Sequence, residues 1–170
     1  MALKHAFAAA IIALGALLTA SAFAQTSSVR FQIGGTARVD CERPVKVNNF
    51  PLAVEGRGVL NSDLSTTADL EFRKAIFVDK IHFDGRLGAG PTPAPHGTAQ
   101  VRVTGSDRLH LVWSLPNNDV TLDVVVHGKS CSANLGYRLK PGKREYTFYD
   151  GYRLEYCAKP RVEQIHCQVN

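Results

Sequence analysis

Histidines and carboxylates are the side chains of this chain that could perform acid–base chemistry or hold a metal ion. Five of the six histidines follow residue 24. His110 and His127 fall on the polar side of neighbouring predicted strands, and Asp123 lies on the same side. The predicted pairing sets the two histidines diagonally, which is a poor arrangement for two ligands of one metal ion. We therefore predict no catalytic site, no metal site and no cofactor; the alternative is a hydrolase-type enzyme that uses this histidine and carboxylate cluster.

Basic and aromatic residues alternate between Tyr137 and Arg161, near the end of the chain. Such a composition can stack on and pair with an anionic glycan, and the formal net charge of +5 weakly favours an acidic partner. The candidate ligand contacts in this stretch are Arg138, Lys143, Arg144 and Arg153. In the alternative interpretation, the aromatic side chains face the core and the basic side chains face water.

The Gly128-Lys129-Ser130 segment has the same residues as the end of a phosphate-binding loop. In such a loop another glycine stands five residues before the first of these, but position 123 holds an aspartate. We therefore predict no nucleotide ligand.

The first 24 residues have the pattern of a secretory signal peptide. Lys4 precedes an apolar run, and Ala22-Phe23-Ala24 supplies the small residues of a cleavage site. Residues 1–24 are therefore predicted to be removed, and residues 25–170 to act in the periplasm or outside the cell. No later segment is long and apolar enough to span a bilayer.

Four cysteines follow the predicted leader: Cys41, Cys131, Cys157 and Cys167. An even number in an oxidising compartment predicts two disulfides, and three pairings are possible. We favour a local Cys157–Cys167 bond, which leaves Cys41–Cys131 to join the N-terminal half to the strand after the meander. No two of these cysteines have the CxxC spacing of a redox or metal motif.

The strongest structural pattern is a three-stranded meander over residues 97–128. Three runs alternate apolar and polar residues with the period of two that is typical of strands with one buried face. Two pairings place apolar residues opposite each other throughout: Val103 with Leu109, and Leu115 with Val120. The second pairing sets Trp113 opposite Leu122.

The residues before the meander are also predicted to form strands. Residues 29–41 keep one alternating phase through Gly34-Gly35, which predicts one long strand that bends at the glycines. Residues 66–83 alternate with a shift of phase, which we interpret as strands with a bulge. The alternative is a helix, because Thr66 and Asp69 could form a capping box.

Glycines and prolines predict the connections. Gly56 and Gly58 are expected at a bulge or turn, and the proline-rich residues 89–96 are expected to form the loop that joins the two halves of the domain. A three-residue loop over residues 150–152 would set Phe148 opposite a leucine in the next strand.

Together these patterns predict an all-β fold: a single-domain, two-layer antiparallel β-sandwich over residues 25–170, stapled by two disulfides. The expected function is that of an exported, non-catalytic binding or interaction module, whose partner is an anionic glycan, a lipid or an envelope protein. A carrier with an apolar ligand in a cleft between the sheets is a further alternative.

Overall fold

The computed structural model describes residues 28–43, 46–74, 77–85, 90–105, 107–149 and 154–170, and these residues form β-strands and no helix. The strands are β1 (Ser28–Arg43), β2 (Lys46–Asn61), β3 (Thr66–Lys74), β4 (Phe77–Gly85), β5 (Thr92–Ala94), β6 (Gly97–Gly105), β7 (Arg108–Ser114), β8 (Asn118–His127), β9 (Ser130–Leu139), β10 (Tyr146–Tyr149), β11 (Leu154–Cys157) and β12 (Arg161–Val169). The predicted all-β class is confirmed. The predicted leader lies outside the described residues.

The strands form two antiparallel sheets. The larger sheet has the order β10-β11-β1-β2-β3-β4, and β12 also pairs with β1; the smaller sheet has the order β5-β6-β7-β8-β9. The chain completes β1 to β4, builds the smaller sheet, and then returns to the larger one. The larger sheet therefore combines strands from both ends of the chain, and this combination determines which cysteines meet.

The core lies between the inner faces of the two sheets. Phe72 of the larger sheet packs against Trp113 of the smaller sheet, with ring centroids 5.2 Å apart. The Trp113 indole nitrogen donates a hydrogen bond to the Pro95 carbonyl oxygen over 2.9 Å. Trp113 and Leu122 are both buried, as predicted. Truncating a buried aromatic residue of this kind typically costs about 3–5 kcal/mol.

The meander is present, but one of its registers differs from the prediction. Val103 lies opposite Leu109 as predicted. Trp113, however, lies opposite Val120 instead of Leu122, which is a shift of two residues. The tight turn causes the shift, because the Leu115 amide donates to the Asn118 carbonyl over 2.8 Å and β8 therefore begins within the predicted turn. A shift of two residues keeps every side chain on its predicted face.

The first two strands are longer and more regular than predicted. β1 is one continuous strand through its glycine pair, as predicted, but the predicted bulge at Gly56 and Gly58 is wrong, because both lie in unbroken register within β2. These glycines make room for neighbours. A Cβ at Gly58 would stand 2.3 Å from the Phe31 ring, and one at Gly56 would stand 2.2 Å from a Leu70 methyl group.

Residues 66–83 are strands, as predicted, but the predicted bulge is a chain reversal. Lys74 of β3 lies opposite Phe77 of β4, so the apolar phase changes where one strand ends and the next begins. The predicted proline-rich loop contains β5, a three-residue strand at the edge of the smaller sheet. An edge strand tolerates proline because one side of it needs no ladder hydrogen bonds.

The predicted loop over residues 150–152 is wrong in register. Tyr149 lies opposite Leu154, and Phe148 lies opposite Glu155. Residues 150–153, between these two strands, lie outside the described residues.

Two disulfides form, but the favoured pairing is wrong. Cys41 bonds to Cys157, and Cys131 bonds to Cys167. β11 pairs with the end of β1 and sets Cys157 directly opposite Cys41, whereas β12 pairs with the start of β1 and sets Cys167 opposite Ile33. The distance between those two places on β1 is roughly 26 Å, far beyond the reach of a disulfide.

Candidate functional site

The predicted histidine and carboxylate cluster forms only in part. Asp123 lies directly opposite His110, and its carboxylate is 2.6 Å from the histidine Nδ1. The two-residue register shift produces this contact, because the predicted register did not set Asp123 opposite His110. His127 lies four residues further along β8, a distance of roughly 13 Å, and it is exposed beside the turn to β9.

A carboxylate that orients a histidine is one part of a nucleophilic site. Within the described residues, no hydroxyl or thiol side chain is hydrogen-bonded to His110, and no three histidine, cysteine or acidic side chains group as metal ligands. The pair lies on the outer face of the smaller sheet, where a third of the His110 side chain and about half of the Asp123 side chain are exposed.

One of the predicted basic contacts, Arg138, pairs with an acidic side chain of the neighbouring strand. Arg138 donates to Asp119 over 2.9 Å, and Ser114 donates to the same carboxylate over 2.8 Å. Burial by itself would raise the pKa of Asp119, but these two hydrogen bonds and the charges of Lys140 and Arg138 outweigh burial and lower the pKa. Arg138 is therefore part of a structural ion pair.

The remaining basic candidates are Lys143, Arg144 and Arg153. Lys143 and Arg144 are exposed on the connection between β9 and β10, and Arg153 lies outside the described residues.

A groove that the sequence patterns did not predict lies on the outer face of the larger sheet. It has a volume of about 750 Å³ and crosses β12, β1, β2 and β3. We call it the outer groove. Its floor is formed by Gly34, Thr36 and Ala53, its β12 wall by Gln164 and His166, and its far side by Glu55, Arg57, Asp69 and Glu71.

The groove lies where Gly34, Thr36 and Ala53 place short side chains on the outer face of two central strands. Thr36 lies opposite Ala53, and Gly34 lies opposite Glu55. On its other side Gly34 pairs with His166 of β12, whose ring lies over the bare glycine. A Cβ at Gly34 would stand 2.5 Å from the His166 Nε2, so this ring position requires a glycine.

The charges of the far side are unevenly paired. Glu71 interacts with Lys80 over 3.2 Å and with Arg73 over 3.4 Å. Glu55 lies directly opposite Glu71, an arrangement of like charges that is unfavourable between strands. Within the part of the chain that the structure describes, no cationic side chain forms an ion pair with Glu55.

The other groove carboxylate, Asp69, has two partners. His82 approaches it with Nδ1 at 2.7 Å, and the Arg57 Nε lies 4.0 Å away. Three carboxylates and one guanidinium group therefore line the groove, and Lys80 and Arg73 offset the charge of Glu71 from outside the lining.

A signal for the groove was present in the alternation of β1. Residues 32, 34 and 36 share the face opposite to Phe31 and Ile33, and the middle residue of the three is a glycine. The missing information was the identity of the neighbouring strands, because β12 reaches β1 from the other end of the chain.

Comparison of this chain with protein-family models, with curated proteins and with solved structures finds no match. No helix capable of crossing a membrane is found in the described ranges.

Proposed function

We propose that this protein is an exported, non-catalytic binding module and that the outer groove is its ligand site. The observation that carries the proposal is the groove itself, a concave surface with polar side chains around the glycine and alanine positions of the larger sheet. Its volume is within the range of typical small-molecule sites. The two disulfides agree with a protein that works in an oxidising compartment.

The lining favours a polar ligand that is neutral or cationic. Gln32 and Gln164 offer amide donors and acceptors, and the carboxylates outnumber Arg57. An anionic glycan would suit the exposed Lys143 and Arg144 better than the groove. A lipid between the sheets is disfavoured, because inward residues such as Val54 and Val124 are fully buried in the core.

Binding explains the outer groove better than catalysis does. The carboxylates and the histidine–carboxylate pair at its far side are open to water, with more than half of the His82 and Asp69 side chains exposed. Catalytic groups normally work where water is excluded, because electrostatic interactions are stronger there.

A groove-filling substitution tests the proposal. Ala53→Tyr places a large side chain on the groove floor, at a strand position that accepts aromatic residues. Ser132→Tyr is the matched control, because Ser132 is exposed on β9 in the smaller sheet. Each protein is purified from its own cell envelope and measured by native mass spectrometry.

We expect a bound polar molecule on the wild type and on Ser132→Tyr, and its loss from Ala53→Tyr. Equal retention by both variants would place the ligand elsewhere and refute the groove. A wild-type protein that carries no molecule, even after incubation with an envelope extract, would count against the binding function.

A further inference from the structure

We propose that the Cys131–Cys167 disulfide holds one wall of the outer groove in place, so that a dithiol reductant can switch the ligand site off. The inference rests on the proposed function, because it describes how that same site would be regulated. It follows from the position of β12, from the weak packing of this strand, and from the unequal burial of the two disulfides.

β12 carries a complete wall of the groove but has little hydrophobic anchoring. None of its nine residues is buried, and only Ile165, Cys167 and Val169 are half-buried. Its ladder to β1 is interrupted by a register shift between Thr36 and Ala37. Apolar burial is the main source of stability for a strand in a sandwich, so β12 depends strongly on other restraints.

The disulfide is the covalent restraint closest to the groove wall. Cys167 directly follows His166 and joins β12 to Cys131 of β9 in the smaller sheet, with a Cα–Cα distance of 5.4 Å. Beyond it, the Asn170 amide donates to the Arg30 carbonyl over 2.9 Å. Without the disulfide, backbone hydrogen bonds and three half-buried side chains would have to hold this end of β12.

The two disulfides differ in their access to solvent. Cys41 is fully buried and Cys157 is 4 % exposed, whereas Cys131 and Cys167 are both partly exposed. A reducing thiolate must reach one of the sulfur atoms to react. The bond at the groove wall is therefore the one that a reductant attacks first.

The reaction with a dithiol is thiol–disulfide exchange. One thiolate of the reductant attacks a sulfur of the Cys131–Cys167 bond, forms a mixed disulfide and releases the other cysteine as a thiolate, which takes up a proton. The second thiol of the reductant then loses its proton and attacks the reductant's own sulfur in the mixed disulfide. This step releases the second cysteine as a thiolate, which also takes up a proton. Two electrons and two protons pass to the protein, which gains two thiols as the dithiol becomes a disulfide.

Reduction is expected to free β12 while the rest of the larger sheet persists. β1 remains paired with β2, and the buried Cys41–Cys157 bond still joins it to β11. His166 would then leave its position over Gly34, and Gln164 would leave with it. The groove would lose its β12 wall and with it part of its ligand contacts.

The test follows each disulfide in the full protein during graded reduction by dithiothreitol under native conditions. Free thiols are alkylated at each time point and mapped by mass spectrometry. Backbone amide hydrogen exchange is measured on the same samples and on a Cys131→Ser/Cys167→Ser variant. The oxidised wild-type protein is the control, and the fluorescence of Trp113 reports whether the core remains folded.

We expect Cys131–Cys167 to open first and amide exchange to rise by at least about tenfold over residues 161–169, with β2 and β3 unchanged. Earlier opening of Cys41–Cys157, continued protection of β12, or exchange that rises in every strand would overturn the inference. None of these measurements needs a ligand, so a failure of the proposed function would be visible separately. A ligand that binds equally well to oxidised and reduced protein would overturn the switch and leave the groove as the site.

Discussion

The same substitution on the two faces of the larger sheet should lower stability on the inner face and leave it nearly unchanged on the outer face. Gly58→Ala and Gly34→Ala each add one methyl group to a paired position of a central strand. The added Cβ would stand 2.3 Å from a Phe31 ring atom in the first case and 2.5 Å from a His166 ring atom in the second. What differs is whether the neighbour can move.

In Gly58→Ala, the neighbours of the added methyl group cannot move away from it. The Phe31 ring is 1 % exposed and enclosed by the core, and the Thr67 carbonyl oxygen would stand 2.9 Å from the same Cβ. Overpacking a core of this kind costs about 1–3 kcal/mol. For a chain of this size, that loss corresponds to a fall in Tm of roughly 3–9 °C.

Gly34→Ala should change the free energy of unfolding by no more than about 0.5 kcal/mol. His166 is exposed and can rotate away, and the rotamer cost of about 1 kcal/mol is offset by the better strand propensity of alanine. The groove, by contrast, would lose the ordered His166 ring. Stability and ligand binding should therefore separate in this variant.

Urea unfolding monitored through the single tryptophan, Trp113, measures both variants with the disulfides intact. The expected result is a lower midpoint for Gly58→Ala, a wild-type midpoint for Gly34→Ala, and an unchanged slope for both. Equal losses in the two variants would show that the outer face is packed as tightly as the core and would refute the reasoning.

Three further substitutions test the described ion pairs and hydrogen bonds, each by urea unfolding. Burial raises the pKa of Asp79, and the charge of His96 only partly offsets this rise. The charged form of this carboxyl therefore destabilises the wild-type protein as pH rises above 3.8, and the stability of Asp79→Asn relative to wild type should increase over the same rise in pH. A stability difference that does not change with pH would contradict this. Asn118→Ala should cost about 1–3 kcal/mol, because the Thr147 amide loses the buried acceptor that it contacts at 2.7 Å, and a loss below that range would mean that water replaces the amide oxygen. Asp123→Asn should cost at most about 1 kcal/mol, since its pair with His110 is half-exposed, and a larger loss would reveal a role that the contact alone does not explain.

The alternation of side chains along each strand was readable without any tertiary information. The phase of Phe31, Ile33 and Val39 identified the inner face of β1, and the phases around Trp113 and Leu122 identified the inner face of the smaller sheet. Sidedness is a local property, because successive side chains of a strand point to opposite faces. The all-β class followed from the same alternation, and the presence of two disulfides followed from the even number of cysteines.

Register and strand order required the fold. The hydrogen bond in the turn before Asn118 sets the register of the meander two residues away from the predicted one, and residue types alone do not specify this bond. The new register places His110 opposite Asp123. The disulfide pairing depended on which end of β1 each C-terminal strand reached.

The amino-acid sequence by itself thus determined which residues face inward, that the chain forms strands, and which cysteines are available to bond. The tertiary structure decided which strands became neighbours, and with that the partners of Cys41 and the position of His166 over Gly34. The physical reason is that the burial of each apolar side chain determines locally which face of its strand points to the core. The pairing of β1 with β12 instead joins segments more than a hundred residues apart, and only the packing of the whole chain selects that pairing.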